Sequence, residues 1–142
     1  GYLHISHLWQ EGDTLQLTLP MPVRRIYGNP LVRHQAGQVA VQRGPLVYCL
    51  EQADNGEQLH NLQLPRDARF STVEGKGIFA RKILLQAPGY KQTAEDAENQ
   101  ALWHYDRAPS SRQPQVLTFI PWFSWANRGE GEMRIWVNET EA

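Results

Sequence analysis

Cys49 is the only cysteine in the sequence, so no internal disulfide can form and no site built from several thiolates exists. That removes four-cysteine zinc and the common iron–sulfur clusters. Within Leu46-Val-Tyr-Cys-Leu50 the thiol reads as a small apolar core residue. His4 and His7 invite comparison with a metal pair, but in a strand a spacing of three turns the rings to opposite faces. His34, His60 and His104 sit in polar, turn-like segments with no Cys, Asp or second His at ligand spacing, and read as solvated. Glu130 and Glu132 likewise read as a solvated turn, although glycosidase-type carboxylate pairs come from distant positions and leave no spacing signal. No Gly-x-Ser-x-Gly, phosphate loop, dinucleotide fingerprint or His-Glu-x-x-His is present.

The aromatic residues say more. Trp122, Phe123 and Trp125 fall within four positions, with Trp103 and Trp136 elsewhere in the C-terminal half. Core packing is the commonest use of such a cluster. Burial at an interface, where Trp is enriched, and stacking on sugar rings are the alternatives. Trp122, Trp125, Trp103 and the nearby Arg128 are therefore the candidate interface or sugar-stacking residues. Asn138-Glu139-Thr140 fits the glycosylation sequon, a short pattern frequent by chance, and carries no functional reading.

The elements that must position these residues are strands. Leu15, Leu17 and Leu19 alternate with Gln16 and Thr18, and Leu3 and Ile5 with His4 and Ser6, which predicts two strands within 2–19 joined near Gln10–Asp13. A third follows over Val23–Tyr27. Val39–Arg43 and Leu46–Leu50 flank Gly44-Pro45, read as a bulge inside one long strand at least as readily as a hairpin, because a Pro-ended pair makes a poor primed turn. Asp54-Asn-Gly56 reads as a turn. Further strands are expected at 62–64, 68–73, 78–85, 116–124 and 132–137, with a short helix near 93–103. The polar stretch 86–115, with three prolines, is where an insertion or sub-boundary would fall. The pattern predicts an all-β chain, an antiparallel jelly-roll-like sandwich, occupying 1–142 as a single domain.

Composition agrees with a soluble protein: 142 residues, 41% apolar, 20% charged, net charge −1. Folding at this size buries about 70% of the unfolded surface, enough for one core. The charge balance offers no basic face for nucleic acid, and no stretch is long and apolar enough for a membrane span. The chain opens on Gly1 and runs straight into the strand-like Tyr2–Ile5, the look of a piece of a longer protein.

Three runs carry a family resemblance: Gly12-Asp-Thr14 with Leu19-Pro-Met-Pro-Val-Arg-Arg25, then Gln42–Glu51, then Ile120–Gly129 with Gly131–Trp136. They resemble the C-terminal β region of bacterial glycoside hydrolase family 127, the β-L-arabinofuranosidases; residues 52–115 fit only loosely. The resemblance implies a parent enzyme in which an upstream α/α barrel holds a zinc-bound cysteine nucleophile and catalytic glutamates. Cys49 lies outside that cysteine motif, so no catalytic residue and no cofactor carries over to this chain. What it implies here is a non-catalytic accessory domain. Its expected partners are its own catalytic barrel, a second copy of itself and an arabinose-containing oligosaccharide, in the cytoplasm or, for the parent, the periplasm. Strands upstream of Gly1 would leave the strand at 2–6 or its neighbour with an open edge.

Overall fold

The computed structural model describes residues 1–93 and 111–141. Its elements are β1 (Val23–Tyr27), β2 (Gln38–Arg43), β3 (Leu46–Glu51), the single helical turn α1 (Gln52–Asn55), β4 (Leu62–Pro65), β5 (Ser71–Glu74), β6 (Ile83–Thr93), β7 (Ser111–Pro121), β8 (Met133–Arg134) and β9 (Val137–Thr140). Short 3-10 turns occupy Arg33–Gln35, Leu59–Asn61, Gly77–Phe79 and Trp122–Ser124. The chain is β-rich, as its alternating patterns require.

The expected sandwich gives way to a barrel. Pairing runs β2-β9-β4-β6-β7-β3 and returns to β2, so one sheet closes through six strands while β1, β5 and β8 lie beside that ring. The seam is β2. Val41–Arg43 pair with β3 and Gln38–Val39 pair with β9 along one edge, and β1 covers the opposite edge from Val39 to Arg43. A sandwich keeps two sheets with free edges, whereas closure removes them. β4 and β9 run parallel; the remaining ladders among the described residues are antiparallel.

Alternation supplies the interior. Val39 and Val41, Tyr48 and Leu50, Leu62 and Leu64, Leu85 and Ala87, Leu117 and Phe119, and Val137 fill the barrel, as side chains must in one this narrow. Tyr48 keeps its hydroxyl satisfied by donating to the Ile83 carbonyl at 2.8 Å. Each fully buried Leu or Val contributes about 1.5–3 kcal/mol. Cys49, between two inward residues of β3, faces the other way and joins Ile120 and Phe79 in a second cluster with Leu84, Met133 and Ile135.

Several local expectations are corrected. Residues 1–22 form no strand: the turn at Gln10–Asp13 exists, closed by an Asp13 N–H to Gln10 carbonyl bond of 3.1 Å, but its two arms do not pair. Leu15, Leu17 and Leu19 stay 60%, 69% and 70% exposed. Two strands alone have no third partner to cover their apolar face, and an isolated hairpin is marginal in water. Gly44-Pro45 is a true hairpin loop, with Arg43 opposite Leu46. Gly44 takes φ of 55°, and a type II′ turn needs positive φ only at that first position, so Pro at the second is no obstacle. The run 132–137 breaks at Ile135-Trp136, where the Arg134 Nε donates to the Trp136 carbonyl at 2.7 Å and the chain crosses from β3 to β2 and β4. The turn expected at 54–56 begins a residue pair earlier as α1, which Gly56 ends at φ of 78°.

The stretch 86–115 supplies the outer halves of β6 and β7; its middle, with most of the helix expected at 93–103, lies outside the described residues. Both strands carry a proline without losing a ladder bond to it. Pro88 falls where β6 changes partner, after β5 has paired with Ile83–Gln86 and before β4 pairs with Tyr90 and Lys91. Pro114 precedes the segment of β7 that meets β3. In each case the missing N–H faces an unpaired edge.

Gly89, next to Pro88 in β6, sits at a close approach of strand to strand. A Cβ there would lie 2.6 Å from Leu117 Cδ1 and 2.7 Å from the Gln63 carbonyl oxygen, and the backbone atom cannot move aside. Gly89→Ala is expected to cost about 1–3 kcal/mol through overpacking. Urea unfolding followed by tryptophan emission checks this, with Gly37→Ala, where no atom lies within 4 Å but φ is 72°, separating crowding from backbone strain.

Candidate functional site

β7 ends at Pro121, and the next turn, Trp122–Ser124, carries the aromatic cluster off the sheet. Trp122, Phe123 and Trp125 are 50%, 59% and 40% exposed, so for them the core-packing reading fails. They form a ledge on the surface. Ser124 between them is buried, and its hydroxyl has no hydrogen-bond partner. Trp136 lies in the break between β8 and β9; Trp103 lies outside the described residues.

Arg128 fixes the loop that follows the ledge. Its Nε donates to Glu51 Oε2 at 2.9 Å and its Nη1 to Asp54 Oδ1 at 2.7 Å, while Nη2 reaches both carboxylates. The guanidinium lies over the Phe79 ring, 4.7 Å from its centre. Glu51 ends β3 and Asp54 sits in α1, so one cation ties the loop to both. The other Glu51 oxygen accepts the Ala126 N–H at 3.2 Å, at a residue held at φ of 64°. Hydrogen bonding to Asp54, and next to Glu51, pushes the Arg128 pKa up against the opposing effect of burial. Arg128 is thus spent on holding the ledge in place. Its separation from Glu51 and Asp54 by more than seventy residues left no local signal of those partners.

Two neighbouring polar contacts complete the support. Gln52 and Glu132 exchange bonds, N–H to carbonyl and backbone N–H to side-chain oxygen, both 2.9 Å. The Glu132 carboxylate accepts the N–H groups of Leu59 at 2.8 Å and Gln58 at 3.0 Å, which hold its pKa below the usual carboxylate value. Glu132 therefore braces a turn rather than sitting in a solvated one. Asn55, buried in α1, continues the β3–β7 ladder with its side chain: Nδ2 donates to the Thr118 carbonyl at 2.9 Å, and Oδ1 accepts the Thr118 N–H at 2.9 Å.

A second charged knot lies across the barrel. Glu139 on β9, its side chain 5% exposed, accepts from Arg25 Nη1 at 3.1 Å, Arg66 Nε at 2.9 Å and the Tyr27 hydroxyl at 2.9 Å. Burial, with this bond to Glu139, raises the Tyr27 pKa. The sequon residue Asn138 is equally engaged, donating to the His60 carbonyl at 2.8 Å and accepting from Gln38 at 3.2 Å.

The residues present do not fit a zinc centre. Among the described residues no three His, Cys, Asp or Glu side chains converge. Cys49 is fully buried, and burial, aided by Glu51, pushes its thiol up to about 12, far from the thiolate a metal or an electrophile needs. His4 and His7 stand on the unpaired segment; His7 meets only Asp13, at 3.1 Å.

Residues 23–138 match the model of the glycoside hydrolase family 127 C-terminal domain. The chain belongs to glycoside hydrolase family 127. This family 127 domain is 38% identical over 131 residues to a non-reducing end β-L-arabinofuranosidase of Bifidobacterium longum subsp. longum, spanning 87% of the chain and 20% of that relative. It superposes on a family 127 β-L-arabinofuranosidase from Geobacillus stearothermophilus T6 with a TM-score of 0.76 and 43% identity, over 85% of this chain and 19% of the other. A family 127 β-arabinofuranosidase structure gives 0.72 and 28%, over 84% and 17%. The chain therefore spans about a fifth of its relatives' length. The matched span begins at Val23, the first residue of β1, and leaves the unpaired segment outside it.

Two outcomes test the support beneath the ledge. Arg128→Ala strands two carboxylates, Glu51 and Asp54, and is expected to lower stability by about 2–4 kcal/mol in chemical unfolding, whereas Glu51→Gln, Asp54→Asn and Arg128→Met together recover most of that loss. Glu132 contributes stability at pH values above its unfolded carboxylate pKa, and the contribution disappears as pH falls through its lower folded value. The difference in unfolding midpoint between the parent chain and Glu132→Gln should thus be largest at neutral pH and shrink steadily into acid.

Proposed function

We propose that this family 127 chain is a non-catalytic accessory domain of a β-L-arabinofuranosidase-like glycoside hydrolase, seated against the catalytic α/α barrel and contributing contacts between copies. The observation that carries the reading is the aromatic ledge. Trp122, Phe123 and Trp125 project from a turn locked by Arg128, Glu51 and Asp54, and a rigid aromatic surface of this kind loses little entropy when covered. The exposed leucines of 15–19 add a second apolar surface on a segment with strand periodicity and no strand partner. The buried, neutral Cys49 supports the absence of chemistry, because the chain holds no other thiol.

The reading predicts no release of 4-nitrophenol from the 4-nitrophenyl β-L-arabinofuranoside by this chain. Turnover lost on Cys49→Ala would overturn it. Sedimentation velocity should show size rising with concentration, and Trp122→Ser with Phe123→Ser should suppress the rise.

A second reading, a carbohydrate-binding module, rests on the half-exposed indoles of Trp122 and Trp125, whose faces suit stacking on a sugar ring. Quenching of tryptophan emission by an arabino-oligosaccharide at millimolar concentration supports it, and unchanged emission removes it.

A further inference from the structure

A groove of about 670 Å³ opens where β6 changes partner. Its lining brings together the proline-bearing stretches of β6 and β7 and the connection from β4 to β5, residues 66–70. Pro88 stands opposite Val116 and Pro114 opposite Tyr90, so these four share the outer face of the two strands while Ala87 and Leu117 face the core. The floor is a flat apolar surface with one aromatic ring. Asp67 and Arg69, from the β4–β5 connection, stand at its rim.

The rim groups are unspent. Among the described residues the Asp67 carboxylate, the Arg69 guanidinium and the Tyr90 hydroxyl make no hydrogen bond or ion pair. They offer an acceptor, a donor fork and a group able to do both, with no net charge. A neutral rim gives an anion or a cation no electrostatic advantage, and a floor of proline and tyrosine suits the C–H face of a ring. A ligand matching all three features has many hydroxyls, an apolar ring face and no charge. The volume lies within the range that encloses small ligands, and the closed barrel beneath keeps the floor rigid.

We infer that this groove, separate from the aromatic ledge, binds a neutral oligosaccharide through the Tyr90 ring and the Asp67 and Arg69 side chains. The sugar chosen for the test, a short L-arabinofuranosyl oligosaccharide, rests on the family reading above; the location of the site does not. Titration of the 15N-labelled chain with this sugar should shift the amide signals of 65–69, 88–90 and 114–116. Emission from Trp122 and Trp125, read in a Trp103→Phe background, should stay constant, because among the described residues no tryptophan lines the groove. Tyr90→Ala should weaken binding about tenfold, the worth of one well-stacked ring. Asp67→Ala, on an exposed connection whose change leaves the core untouched, should weaken it as well.

Shifts confined to 122–129 with quenched emission would place the sugar on the ledge, supporting the module reading and overturning this one. No shift anywhere, with the arabinofuranoside and with a glucose-based oligosaccharide tried in parallel, overturns the groove while leaving the accessory reading standing. Groove shifts with a proline-rich peptide but with neither sugar would make the ligand a polypeptide and overturn the saccharide assignment.

Discussion

Everything in this domain depends on the edge of β2. A strand has two hydrogen-bonding edges, and one edge of Gln38–Arg43 is divided between β3 and β9 while the other is closed by β1. Dividing that edge makes the two neighbours diverge, and the sheet between them has to travel through β7, β6 and β4 to join them. The resulting barrel encloses Val39, Val41, Leu50, Leu64, Leu117 and Phe119 without any second layer. Within the ring a closed ladder satisfies its own backbone, and among the described residues the open edges belong mainly to the outlying strands β1, β5 and β8, each paired along one side.

Charge reinforces the ladder near its strand ends. Glu51 stands at the point where β3 ends and Glu139 near the end of β9, and each is largely buried with arginine partners from distant parts of the chain. Coulombic attraction at these places ties distant segments to the strand ends, and its strength comes from the low dielectric around a carboxylate with little access to water. Around Arg128 the same interaction shapes the surface. The loop between β7 and β8, eleven residues with three exposed aromatics, is anchored by a guanidinium whose three nitrogens all donate to Glu51 or Asp54.

Much of this was legible in the sequence. Apolar, β-prone runs bounded by Gly and Pro located β1, β2, β3 and β4 and part of β7, and Cys49 read as a small apolar core residue. The misreadings share a cause. Leu15, Leu17 and Leu19 have strand periodicity, but periodicity declares that a face wants covering and is silent on whether the cover lies within the same chain. Met133–Val137 alternates without interruption, yet a curved surface places Met133 beside β3 and Val137 beside β2, so the strand must break between them. At Gly44-Pro45 the signal was present and was weighed wrongly, since the proline occupies the turn position that tolerates it. The aromatic triplet admitted core, interface and sugar-face readings because composition contains no information on exposure.

By itself the sequence determined the β-rich character of the chain, the approximate place of several strands and the apolar setting of Cys49, because patterning and residue chemistry act over a few neighbouring positions. Only the tertiary structure decided that the sheet closes into a barrel, that Arg128 belongs to Glu51 and Asp54, that Trp122 and Trp125 face solvent and that the gap at Pro88 opens a groove. Each of these depends on pairs separated by tens of residues. Their contact is set by which strand edges meet, a property of the whole ladder that no short stretch of sequence contains.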